Sequence, residues 1–256
     1  MLQEDAVEKI TESLKADPLV KAVFLKGSMG RGEHDEHSDI DLYCLVDQKD
    51  EALFLEKRLM HLKAYQDILF WDDIFIIAPQ IIAVYNNLLH LDLFTVTEQS
   101  FKQKDYFTVL YDPEGRLDKY KSSQNLRLSE EEFKDDVIDV VWFLFQYKKS
   151  ASRGNDLWSV AMLQHVMTHM ARVLLHHYCP ERAQLGLKTI TYSIPEQMGS
   201  SITAIFESLT PEAHSQAARR IQQLVASEKE WIISGLSLEG KKRVQPFMEK
   251  MLTIPL

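Results

Sequence analysis

With 256 residues, 45% of them apolar and 26% charged, the chain has material for one large domain or two ordinary ones, each with a proper core. That balance, with only 9 Gly and 8 Pro, excludes a disordered or fibrous chain. The net charge of −9 comes from the first 120 residues, which hold 23 Asp and Glu against 13 Lys and Arg, and it makes nucleic acid an unlikely partner.

No apolar run reaches the roughly 18 residues that a membrane helix needs, so no membrane partner is expected. The opening MLQEDAVEKITESL is acidic and amphipathic, unlike a secretory signal. The two cysteines, Cys44 and Cys179, have no metal or redox spacing, and Cys44 alternates with Leu42 and Val46 as a buried strand residue would. These features lead us to expect a cytoplasmic protein.

In chain order, Val7, Ile10 and Leu14 predict an amphipathic helix over 3–16. AVFLK (22–26) predicts a short strand, broken at Gly27-Ser28, where a short helix could begin. EHDEHS (33–38) reads as a polar loop whose Glu33, Asp35, Glu36 and His37 are solvated charges. Residues 39–46 then alternate, with Asp39, Asp41, Tyr43 and Leu45 on one face and only apolar side chains on the other. A helix is expected over 49–62, and strand and turn over 68–77, with Asp72 and Asp73 forming the turn. IIAVY (81–85) and LLHLDLFTV (88–96) flank Asn86-Asn87 as a hairpin. Within its second strand, His90, Asp92 and Phe94 share a face, and an acid among leucines there is unusual because Asp is depleted in strand interiors. VLYDPEG (109–115) reads as a short strand and turn.

From about residue 128 the pattern becomes wholly helical. Ser129 with Glu132 three residues on makes a capping box for a helix over 130–151. Helices follow over 156–178, 196–208, 211–234 and 239–252, with Pro195, Pro211 and Gly235 between them. The expected fold class is therefore α+β: a mixed β-sheet with flanking helices over 1–125, followed by an all-helical bundle over 126–256.

The most informative stretch is Lys26 to Asp41, KGSMGRGEHDEHSDID. Glycine and serine directly follow a strand, and two aspartates two residues apart open the next one. Side chains at i and i+2 of a strand point to one face, so Asp39 and Asp41 present paired carboxylates that call for a cation between them.

GSMGRG followed by SDIDL, with a later acid on a neighbouring strand, resembles the nucleotidyltransferase superfamily that includes DNA polymerase β. It most resembles the antibiotic-modifying branch, and IAVYNNLLHLDLFTV with helices after it is similar to the lincosamide nucleotidyltransferases. The resemblance covers roughly residues 20–115. It implies a nucleotidyltransferase fold with Asp39, Asp41 and Asp92 as the catalytic and metal-binding carboxylates for two Mg²⁺ ions, an all-oxygen donor set that suits this metal. Gly27 and Ser28 would cradle the triphosphate, with Arg31 assisting.

The reaction so implied is transfer of a nucleoside monophosphate, AMP from ATP, to a hydroxyl of a small molecule of lincosamide or aminoglycoside type, with release of pyrophosphate. The partners would be a nucleoside triphosphate and that acceptor, and the role antibiotic resistance. The helical domain would bind the acceptor, form a homodimer, or both. Asp139, in an otherwise apolar helical stretch, and His165 and His169, on a polar stripe with Arg172 and His176, are the acceptor-side candidates. A second reading is a toxin–antitoxin or RNA-processing module, because Arg172 to His177 has the R-x4-H spacing.

Overall fold

A computed structural model of the protein describes residues 1–101 and 104–255. The chain divides into two units, Met1–Asn125 and Leu126–Leu256.

In the first unit, α1 (Leu2–Lys15) buries Ala6, Val7, Ile10 and Leu14, the apolar stripe of its 3.6-residue period. There follow β1 (Val20–Leu25), the five-residue α2 (Gly27–Arg31) and β2 (Ile40–Val46). The single helix expected over 49–62 is instead two short ones, α3 (Glu51–Leu55) and α4 (Arg58–Leu62), separated by Glu56 and Lys57. Strands β3 (Ile68–Phe75), β4 (Pro79–Tyr85), β5 (His90–Val96) and β6 (Thr108–Tyr111) complete a mixed sheet in the order β3-β4-β5-β2-β1-β6. Neighbours run antiparallel except β2 and β5, which are parallel.

Alternation along β2 divides the core. Ile40, Leu42 and Cys44 face a cluster with α1, Leu62 and Leu91, while Tyr43 and Leu45 face an aromatic cluster with Phe24, Phe94 and Phe101. Tyr43 and Phe94 stack with centroids 4.4 Å apart, which puts the odd-numbered side of β2 and the even-numbered side of β5 on one face.

Asp72 and Asp73 correct the sequence expectation. They do not turn the chain but lie within β3, paired to Ile82 and Ile81 of β4. As the edge strand, β3 has one neighbour and exposes both faces, so acids are tolerated there and discourage pairing with another chain. Asp73 also accepts a hydrogen bond at 2.7 Å from Nη2 of the buried Arg58.

The second unit opens with α5 (Glu130–Ala151) and α6 (Asp156–Tyr178). The Ser129–Glu132 capping box forms as expected: Ser129 Oγ accepts from the Glu132 amide, and the Ser129 amide donates to the Glu132 carboxylate at 2.8 Å. A 3-10 segment (Pro180–Lys188) and α7 (Ile190–Ser193) lead to α8 (Glu196–Glu207), α9 (His214–Gly235) and α10 (Leu238–Thr253). Val137, Val140 and Leu144 of α5 join Val166 and Met170 of α6, Ile221 and Val225 of α9, and Val244 and Met248 of α10 in one core. The protein is thus α+β, a mixed sheet with flanking helices followed by a helical region. Among the described residues no helix is long and apolar enough to cross a membrane.

Candidate active site

The parallel pairing of β2 with β5 sets Asp41 directly beside Asp92. Directly opposed residues of paired strands point their side chains the same way, so the two carboxylates stand side by side at the polar end of the aromatic face. Asp39 lies two residues before Asp41, just ahead of β2, with its side chain half exposed. Asp92 is nearly buried.

Gly27 and Ser28 approach this group from the end of β1. The Lys26 amide donates to the Asp41 carbonyl at 3.0 Å, which holds the start of α2 against β2. Gly27 has φ +61°, and a Cβ built on it would lie 1.9 Å from Asp41 Oδ2. The backbone therefore comes as close to the carboxylate as a chain without a side chain can. Ser28 Oγ is buried and meets no hydrogen-bond partner among the described residues. A buried hydroxyl left unsatisfied is uncommon in a folded protein and calls for an explanation.

His90 is the residue whose part the sequence did not disclose, although it shares a strand face with Asp92. Its Nε2 lies 3.1 Å from Asp92 Oδ1 and its Nδ1 lies 4.0 Å from Asp39 Oδ2. The hydrogen bond to Asp92 raises the His90 pKa above its ordinary value. Partial burial opposes that rise, and the charges of Asp92, Asp39 and Asp41 add to it. The imidazolium thus offsets part of the repulsion among three neighbouring acids. A cavity of about 450 Å³ borders Asp39 and His90, lined also by Gln3, Ser38 and Asn87. Gln3 is buried, and its Nε2 lies 3.1–3.2 Å from the carbonyls of Asp35, Glu36 and Ser38, so α1 fixes the loop that delivers Asp39.

As they stand, no three His, Cys, Asp or Glu among the described residues are gathered tightly enough to enclose an ion. The donor set nonetheless fits a hard dication. Two adjacent carboxylates and a third nearby supply oxygen only, and the unsatisfied Ser28 hydroxyl stands at the adjoining glycine turn.

Arg31 is not turned to that turn. Its Nη1 binds both Asp105 oxygens at 2.8 and 3.0 Å, and its Nε binds Glu33 at 3.0 Å. Lys26 is buried, with Nζ 2.9 Å from the Lys104 carbonyl and over the rings of Tyr43 and Phe101. Burial lowers its pKa from 10.5 to about 8, against the opposing charge of Asp105. Between those two values the unfolded chain binds the extra proton, so this group makes stability rise with pH there. At pH 7 the buried ammonium weakens the fold by up to about 3 kcal/mol. Lys26→Met is expected to be more stable than wild type at pH 7 by about 1–2 kcal/mol, after loss of the Lys104 bond. Urea denaturation at several pH values should show that advantage shrinking towards pH 10; a constant advantage would contradict a titrating Lys26.

In the helical unit the acceptor-side candidates gather at the seam of α5 and α6. His165 and His169 stack on Phe143, at 4.7 and 5.7 Å between centroids. His169 Nε2 lies 3.6 Å from Asp139 Oδ2, whose side chain is partly exposed. The buried acid there is Asp136, one turn before Asp139, which binds His169 Nδ1 at 2.9 Å and Arg172 Nε at 2.8 Å. Asp136 was missed because nothing local separates it from the exposed Asp135. Arg172 and His177 are engaged apart: Arg172 by Asp136 of α5, His177 by Glu228 of α9 at 2.9 Å.

Residues 8–89 match the family described as "Polymerase beta, Nucleotidyltransferase", a span holding Gly27, Ser28, Asp39 and Asp41 and ending three residues before Asp92. No curated protein sequence matches the chain. An aminoglycoside 6-adenyltransferase from Bacillus subtilis is similar over 99% of both chains, at 10% identity and a TM-score of 0.37. A nucleotidyltransferase-like protein from Exiguobacterium sibiricum 255-15 is similar over 96% of this chain and 80% of that one, at 14% identity and a TM-score of 0.42. The family match takes in the glycine turn and the paired aspartates, so residues 8–89 carry a nucleotidyltransferase domain of the polymerase β type.

Proposed function

We propose that the protein transfers a nucleoside monophosphate, AMP from ATP, to a hydroxyl of a small acceptor of aminoglycoside or lincosamide type, releasing pyrophosphate. The observation that carries this reading is the pairing of Asp41 with Asp92 on β2 and β5, with Gly27 packed against Asp41. Asp39, Asp41 and Asp92 would hold two Mg²⁺ ions, which neutralise triphosphate charge and acidify the attacking hydroxyl. The Ser28 hydroxyl and the backbone exposed by Gly27 would bind phosphate oxygens. His90 must yield its contacts to Asp92 and Asp39 when those carboxylates take up a cation. Arg31, already engaged by Asp105 and Glu33, would steady the turn rather than grip phosphate.

The excess of acid suits a cationic, amine-bearing acceptor. In the helical unit, Asp139, His165 and His169 are the proposed acceptor-side residues, with Asp136 fixing the His169 ring, and that unit would bind acceptor or a second copy of the chain. Such chemistry fits a cytoplasmic enzyme, with resistance as its use. The separate engagement of Arg172 and His177 gives no support to the RNA-processing alternative.

The test is incubation with Mg²⁺, each nucleoside triphosphate and a panel of aminoglycosides and lincosamides. Pyrophosphate release together with an acceptor mass gain of one adenylate is expected. If every panel member stays unmodified, the acceptor assignment fails.

A further inference from the structure

A groove of about 720 Å³ runs along α8 and α9 of the helical unit, a size suited to a small-molecule ligand. Its floor is apolar, with Met198 and Ile205 from α8 and Leu224 from α9. Its sides carry hydroxyl and amide groups: Gln197 and Ser201 on one helix, Gln223 and Ser227 on the other. Both sets recur at three- to four-residue spacing, so each helix turns one continuous face to the groove.

The two ends of the groove bear opposite charge. At one end lies Glu228, a buried carboxylate. Its Oε1 accepts from Tyr178 Oη at 2.8 Å, and its Oε2 lies 2.9 Å from His177 Nδ1. His177 is held in turn by stacking on Trp231 at 3.9 Å. Burial first, and Glu228 second, push the Tyr178 phenol up to about 12, so its hydroxyl remains a donor. Among the described residues no Lys or Arg pairs with Glu228; its partners are the Tyr178 hydroxyl and the His177 ring. Each carboxylate oxygen accepts two hydrogen bonds, so Glu228 keeps acceptor capacity for a cation inside the groove. At the other end is Arg220, two turns earlier on α9 and about 12 Å away along the helix. Its Nη1 is anchored by Ser208 Oγ at 2.9 Å and by the Ala204 carbonyl, which aims the guanidinium.

Resting on the amine-bearing acceptor named under the proposed function, we propose that this groove binds a small polyhydroxylated amine about two rings long, with an ammonium on Glu228, ring faces on Met198 and Leu224, hydroxyls along the Ser and Gln sides, and an oxygen on Arg220. A buried carboxylate attracts an amine, hydroxyl and amide sides satisfy a ligand rich in hydroxyls, and an apolar floor takes the flat faces of its rings.

Calorimetric titration of the full-length protein with neamine, a two-ring amino sugar, tests the groove, with trehalose as the neutral control of similar size. Both are titrated without nucleotide or Mg²⁺, so binding succeeds or fails independently of transfer at Asp39, Asp41 and Asp92. Wild type is expected to bind neamine and not trehalose. Glu228→Gln, which keeps shape and loses charge, should weaken binding at least tenfold. Ser201→Trp fills the groove from an exposed position and should abolish binding with the fold intact by circular dichroism. Glu230→Gln, a solvated acid on the same helix, should bind as wild type does. If Glu228→Gln proves unstable, Ser201→Trp alone decides. No uptake of neamine at millimolar concentration, equal uptake of trehalose, or full binding by Ser201→Trp would overturn the assignment.

Discussion

Asp41→Asn is expected to lower nucleotidyl transfer on the order of a thousandfold or more, corresponding to about 4 kcal/mol of lost transition-state stabilisation. The amide keeps the shape of the side chain and its place beside Asp92, so the change isolates the charge. A neutral amide is a poor ligand for a hard dication, and the triphosphate would lose the ion that offsets its charge. The fold should not suffer, because removing one of three clustered negative charges relieves repulsion. Two measurements check this. Pyrophosphate release reports the chemistry. Thermal melting with and without Mg–ATP reports binding, and only wild type should gain stability from the ligand. A variant that releases pyrophosphate as fast as wild type would remove Asp41 from the catalytic group.

Gly27→Ala is expected to be nearly as damaging to activity while leaving a folded protein. Two effects combine. The residue has φ +61°, where a side chain adds about 1–2 kcal/mol of strain. The new methyl would also stand 1.9 Å from Asp41 Oδ2. That oxygen ends a short rotatable side chain, so the carboxylate can swing aside rather than the strand shifting. The predicted outcome is a stability loss of about 1–2 kcal/mol and a rate loss on the order of a hundredfold, because Asp41 is turned from its position beside Asp92.

Gly30→Ala is the contrast. There a Cβ would lie 2.7 Å from the Leu25 carbonyl, a backbone atom of β1 that cannot turn away. Its effect should fall on stability, by about 1–3 kcal/mol, with activity per folded molecule largely kept. Urea denaturation and active-site titration of both variants separate the cases. The reverse ranking, with Gly27→Ala unstable but active and Gly30→Ala stable but inactive, would refute this account of the turn.

Much of the fold could be read from local pattern. The Ser129–Glu132 box marks the start of α5 because a cap is satisfied within one turn of helix and involves nothing distant. The bounds of α5 and α6 follow from uninterrupted apolar periodicity ended at Gly154-Asn155 and Pro180. Asp72-Asp73 went the other way. Two adjacent acids look like a turn, yet pairing with Ile82 and Ile81 of β4 supplies the backbone hydrogen bonds that keep them in a strand. That partner is absent from any local window. The helix expected over 49–62 likewise divides at Glu56 and Lys57, a break that its leucine spacing does not register.

By itself, the sequence determined the order and type of most elements, the α+β class, the glycine–serine turn after a strand and the two-residue spacing of Asp39 and Asp41. Each of these depends on periodicity, capping or backbone freedom within a few residues, and such effects are written locally. Only the tertiary structure decided which groups stand together. It set Asp92 beside Asp41 across the parallel β2–β5 pair, brought His90 between Asp92 and Asp39, committed Arg31 to Asp105, and chose Asp136 rather than Asp139 as the buried partner of His169. These contacts join residues far apart in the chain or select among near-equivalent neighbours by burial. Strand register and helix packing settle such choices only once the whole chain has folded.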